Sequence, residues 1–221
     1  MLVQLRVQQN ELAHIARFDR PLLELWGEGR AIVEGLFSAF SVFGINLADI
    51  RNESSSLNPA DQVVAVNIGL SGVHRFRFDR IESVFFNFDD DFLRTVPSIL
   101  DASTNWVRKA AASAKFLSHQ CTYSSHSVVA GKAADKLLTF VERPVRAGGQ
   151  NTGTGAIFHW DLAEKGWATK LLLDRSISIP DGVFMMFTLT VKTDKPNYAS
   201  LIGEGKSYLD TVLKELGFEL T

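Results

Sequence analysis

Three groups of side chains in this 221-residue sequence have types and spacings that could do chemistry. Arg75, Arg77 and Arg80 stand close together, interleaved with Phe76 and Phe78. A guanidinium binds carboxylate or phosphate bidentately and stacks on aromatic rings, so this segment is a candidate surface for an anionic ligand or a protein partner. Glu82 joins the three arginines as a candidate binding residue, and with Asp79 it offsets their charge. No lysine precedes Lys109, so the arginines carry all the side-chain cationic charge of that part of the chain apart from histidine. The plainer reading of Arg75 and Arg77 is the solvated face of an amphipathic strand.

His119, Cys121 and Tyr123 alternate along a second segment, with His126 on the opposite parity. A thiolate nucleophile needs a neighbouring base or a positive field, and an imidazole two residues away on one strand face can supply it. Cys121 with His119 therefore stands as the alternative to a binding role, a cysteine-dependent hydrolase or transferase. A buried, inert cysteine is the plainer account. One cysteine with scattered histidines lacks the ligand spacing of a zinc site, so no metal is expected.

The third group is the stretch from Arg143 to Gly155, where Arg143 and Arg146 precede Gly148, Gly149 and Gly153. Such a backbone can cradle an anion. It lacks the GK[ST] ending of a phosphate-binding loop and the context of a dinucleotide fingerprint, so no cofactor is expected. A simple connection is the competing reading. Asp89, Asp90 and Asp91 fit the start of a helix better than a metal site.

The whole-chain numbers narrow the classes. A net charge of −2 argues against a nucleic-acid binder, whose phosphate contacts need a basic surface. Sixteen Phe against three Tyr and three Met point to an aromatic core without polar handles. A single cysteine excludes an internal disulfide and fits a reducing compartment. No run approaches the ~18 apolar residues of a membrane span, and the first residues lack a signal-peptide core. The expectation is a cytoplasmic protein without a membrane.

The elements that would position these residues follow from periodicity. Leu2 to Gln8 alternates as a strand, and Asn10 to Trp26 reads as a short helix or loop that Pro21 ends. Gly29 to Phe43 has helical spacing, with Gly44 as its C-cap. Strands are expected at Ile45–Arg51 and Gln62–Leu70, the latter turning at Ser71-Gly72 into a hairpin with a long strand from Gly72 to Phe88. At about 3.3 Å per residue that run far exceeds the usual strand and is expected to bend, and Arg80, Ile81 and Glu82 break its alternation either through a bulge or as a charged pair interrupting the buried face. A helix follows from Asp89 toward Lys115, with Pro97 expected to kink or divide it.

The order then starts again: an extended segment Phe116–Val129, a short helix Gly131–Val141, strands near Ala156–Leu162, Trp167–Asp174 and Gly182–Lys192, and a helix Tyr198–Leu216. Both halves read strand, helix, three strands, helix. The expected fold is α+β: two tandem units, 1–115 and 116–221, joined in a curved antiparallel sheet with helices packed on one face. The expected function is a non-enzymatic module that binds a small ligand or a protein partner, with a homodimer as one form of partner.

Overall fold

The computed structural model describes residues 2–26, 29–54, 58, 61–129, 137 and 155–221. Among the described residues the protein is a mixed α+β structure with a large antiparallel sheet and three α-helices. The elements are β1 (Val3–Phe18), α1 (Gly29–Phe40), β2 (Ile50–Asn52), β3 (Val64–Ile68), β4 (Gly72–Phe76), β5 (Arg80–Phe86) and α2 (Asp90–Ala110). They continue with β6 (Phe116–Val129), β7 (Ala156–Leu162), β8 (Trp167–Arg175), β9 (Val183–Val191), α3 (Tyr198–Glu215) and β10 (Phe218–Leu220). No helix among the described residues is long and apolar enough to cross a membrane.

The chain divides into two compact units. The larger comprises Leu12–Cys121 with Thr190–Gly203. Its strands stand in the order β2-β3-β4-β5-β1-β6. β3 and β4 form the expected hairpin, with Val64 opposite Phe76 and Ile68 opposite Gly72. Phe76 is the hub of the core: its ring meets Phe40 of α1 at 6.2 Å and Trp106 of α2 at 4.8 Å, both edge-on. Edge-to-face pairs at such separations add to plain area burial. Val96, Ile99, Leu100, Trp106 and Val107 recur at helical spacing and supply the buried side of α2. Asp89 caps α2 by accepting a hydrogen bond from the Phe92 amide at 2.8 Å, and Asp90 and Asp91 complement its N-terminal dipole.

The other unit comprises Met1–Glu11, Thr122–Leu189 and Glu204–Thr221. Its strand order is β1-β6-β9-β8-β7, and β10 adds to β1 in parallel, Val3 beside Phe218 and Leu5 beside Leu220. Leu171, Leu173, Met185, Phe187 and Leu189 alternate inward from β8 and β9, and Leu209, Val212 and Leu213 of α3 are buried in the same unit.

Several local expectations change. Gly72 to Phe88 is a hairpin and not one bent strand: the Arg77 amide bonds the Arg80 carbonyl at 2.9 Å, closing a tight turn over Phe78 and Asp79. The loss of alternation at Arg80–Glu82 was the signature of that turn, after which Ile81, Ser83 and Phe85 face inward. Asn10 to Phe18 is the continuation of β1, with Leu12, His14, Ala16 and Phe18 buried at period two. Ile45–Arg51 is mostly a 3-10 turn, Leu47–Asp49, where Asn46 and Asp49 cap each other, and only Ile50–Asn52 is strand.

Pro97 does not divide α2, which runs unbroken; the long buried face outweighs one lost backbone bond. The expected helix Gly131–Val141 lies outside the described residues except for Leu137, which is helical and buried.

Candidate functional site

Arg75, Arg77, Arg80 and Glu82 do come together, on the β4–β5 hairpin. Glu82 stands opposite Arg75 in the ladder. Arg75 Nε donates to Glu53 Oε2 at 2.8 Å, and Arg77 Nε donates to Glu82 Oε2 at 2.9 Å. Arg80 reaches both Glu82 Oε1 and Asp79 Oδ2 at 2.6 Å. Burial works against the charge on Glu82, and the hydrogen bonds from Arg80 and Arg77 outweigh it, so the carboxyl is held below its usual range. Arg75 and Arg77 keep only 33% and 30% of their side-chain exposure, so they lie along the surface and do not project from it. Each guanidinium is answered by a carboxylate.

β6 carries His119 and Cys121 inward, and both are buried. Burial pushes the Cys121 thiol up to about 12, which keeps it protonated at neutral pH. His119 Nδ1 lies 3.1 Å from Tyr198 Oη and 3.4 Å from His14 Nε2, partners that sequence spacing did not suggest. Burial lowers His119 to about 4 and His14 well below its ordinary value. A third buried imidazole, His74, is lowered by burial to about 3 and shares Nδ1 with Ser83 Oγ at 2.7 Å and Ser103 Oγ at 3.3 Å. All three are neutral at pH 7. His14 Nδ1, His74 Nε2 and His119 Nε2 are buried without a hydrogen-bond partner among the described residues. With Ser83 and Ser103 at 1% exposure, neither serine is open to a substrate. No group of three or more His, Cys, Asp or Glu among the described residues is placed to hold a metal.

Tyr123 lies beneath the Lys206 ammonium at 5.7 Å, and His126 Nδ1 meets Ser176 Oγ at 2.8 Å. Arg143 and Arg146, with the glycines as far as Gly153, lie outside the described residues.

The cavity with the makings of a binding site is elsewhere, in a cleft of about 500 Å³ between α1, α2 and the 3-10 turn Leu23–Trp26. That volume is in the range of small-molecule sites, about 300–1,000 Å³. α1 presents Ala31, Gly35 and Ala39, one residue per helical turn, and these small side chains keep the helices from filling the space. α2 presents Ala102, Asn105, Trp106 and Lys109 along one stripe. Leu25 and Ile32 add apolar wall, and Glu24 closes one side, its carboxylate accepting from Arg20 at 2.9 Å and Ser113 at 2.7 Å.

Trp106 is the distinctive member. Its side chain packs on Phe76, the residue is only 8% exposed, and its indole N–H has no hydrogen-bond partner among the described residues. The indole nitrogen is not among the buried unpaired atoms, so its N–H is open to solvent at the cleft. On one side Trp106 is core filler, packed against Phe76. The signal for the other side was the spacing of Ala31, Gly35 and Ala39 on the helix that turned out to face it.

Among known proteins, no family model matches the chain and no curated protein matches it.

Proposed function

We propose that the protein is a small-molecule-binding module whose site is the cleft between α1 and α2, and that it performs no covalent chemistry there. The observation that carries this reading is the Trp106 indole N–H, a donor in a buried side chain that borders the cleft without a partner. A ligand acceptor seated in the cleft would take the place of solvent at that donor, and the apolar walls would supply most of the affinity.

The experiment is binding of the fluorescent probe 8-anilinonaphthalene-1-sulfonate to the whole chain and to Ala39→Phe, which fills the cleft. The expected result is probe binding to the native protein that Ala39→Phe removes while far-UV circular dichroism is unchanged. Equal binding by both proteins would overturn the assignment.

The other forms of the binding reading have less support. A protein partner or second copy docking on the β4–β5 hairpin would meet Arg75, Arg77, Arg80 and Glu82 already paired with their own carboxylates or guanidiniums. The alternative of a hydrolase or transferase using Cys121 and His119 needs a thiolate, which burial opposes.

A cytoplasmic location and two tandem units, 1–115 and 116–221, with helices on one face of a curved sheet, complete the proposal. The tandem reading is supported by strand order: β3-β4-β5-β1 in the first half and β7-β8-β9-β6 in the second. In each, three consecutive strands lie side by side and the half's opening strand joins the third. Superposition of the halves in a crystal structure is the test.

A further inference from the structure

We propose that the ligand of the α1–α2 cleft is an amphipathic monoanion, an apolar alkyl or aryl body carrying one carboxylate. The inference rests on the cleft being the binding site and adds the charge and polarity of what it holds.

The polar groups at the cleft are unequal. The Trp106 indole can only donate, so an acceptor is the polar group on a ligand that matches it. Lys109 follows one helical turn later on the same stripe of α2, and its ammonium has no ion pair among the described residues. Glu24 is the lining carboxylate, and its charge is already offset by Arg20. Arg108, next to Lys109, is tied to Asp194 and stacks over Phe116, so it adds no free charge. The last turn of α2 contributes about half a negative charge from its terminal carbonyls, which a full lysine charge exceeds. The surplus at this end of the cleft is positive.

Asn105 and Ser38 offer further hydrogen bonds, while Leu25, Ile32, Ala39 and Ala102 offer only apolar surface. An acceptor at Trp106, a negative charge within reach of Lys109 and a hydrocarbon body against the remaining wall describe a carboxylate amphiphile.

Decanoate, decan-1-ol and decylammonium share one chain and differ in head group. Isothermal titration of each into the whole protein at pH 7.5 should rank them decanoate, decanol, decylammonium, with decanoate at least about fivefold tighter than decanol. Lys109→Met should remove that preference and leave decanol unchanged. Trp106→Phe should weaken decanoate and decanol alike. Ala39→Phe, or Ala102→Phe from the facing helix, should abolish all three, with circular dichroism reporting which variant keeps the fold. Equal affinity for decanoate and decanol, or a decanoate preference that survives Lys109→Met, overturns the anionic ligand and leaves the cleft standing. Decanoate binding that survives both cleft-filling variants in folded form overturns the cleft itself.

Discussion

Gly35 and Trp106 meet so closely that a β-carbon added to the glycine would lie 2.7 Å from the indole Nε1. The glycine thus sets the position of the ring that borders the cleft, and α1 can approach α2 there only because residue 35 has no side chain. The replacement Gly35→Ala gains about 0.5–1 kcal/mol of helix propensity but must push a rigid, packed ring, at a cost of about 1–3 kcal/mol. The expected outcome is a net loss on the order of 1 kcal/mol in urea denaturation together with a shifted tryptophan emission. A gain in stability with unchanged emission would show that the approach is looser.

The second prediction concerns pH. Histidines in the unfolded chain titrate near 6.5, whereas burial holds His74 at about 3 and His119 at about 4 and lowers His14 as well. In the interval the unfolded chain binds more protons, so stability is fully present above about pH 6.5 and is lost as pH falls toward about 4. At pH 5 the loss is roughly 2 kcal/mol for each of His74 and His119. Urea midpoints measured from pH 8 to pH 5 should be flat and then fall. His119→Gln should flatten the fall, and an unchanged slope in that variant would count against the buried neutral state.

Gly72 stands opposite Phe85 in the β4–β5 ladder, and a β-carbon there would come 2.6 Å from the phenyl ring and 2.9 Å from the Val84 carbonyl oxygen. Backbone cannot yield as a flexible side chain does. Gly72→Val is expected to cost about 2 kcal/mol or more despite the high strand propensity of valine. Thermal unfolding followed at two wavelengths checks it, and a variant as stable as the native protein would contradict the register.

Cys121 should react with a disulfide reagent only after unfolding, because it is buried and its thiol is pushed up to about 12. Release of thiolate at pH 7.5 is expected to be slow in buffer and rapid in denaturing urea. Rapid labelling of the folded chain would restore the cysteine-dependent reading.

The elements with unbroken patterns were legible from sequence. Phe116–Val129 and Ala156–Leu162 have the same bounds in the structure as their alternation predicts, and Asp89 caps the helix it precedes. Misreadings occurred where a buried residue was not an obvious apolar marker. In β1 the interior positions are Leu12, His14, Ala16 and Phe18, and with a histidine and an alanine among them the period of two was masked, so Asn10 onward read as a short helix or loop. The turn over Phe78 and Asp79 carries no glycine, and its charged flanks resembled a defect in one long strand.

The histidine core was hidden for another reason: His14 and His119 are 105 residues apart and meet only through the tertiary fold. The same holds for the cleft, whose two walls come from helices separated by the β2–β5 strands.

The pairing of β10 with β1 has a consequence for synthesis. Gln4, in the first strand, bonds Glu219 across a separation of 215 residues. At about 5–20 residues per second, the Val3–Leu5 end of β1 waits on the order of 10–40 s after leaving the ribosome before β10 exists. During that interval its backbone donors and acceptors are an open template for strands of other chains, so yield in the cell should depend on how crowded translation is with copies of this protein.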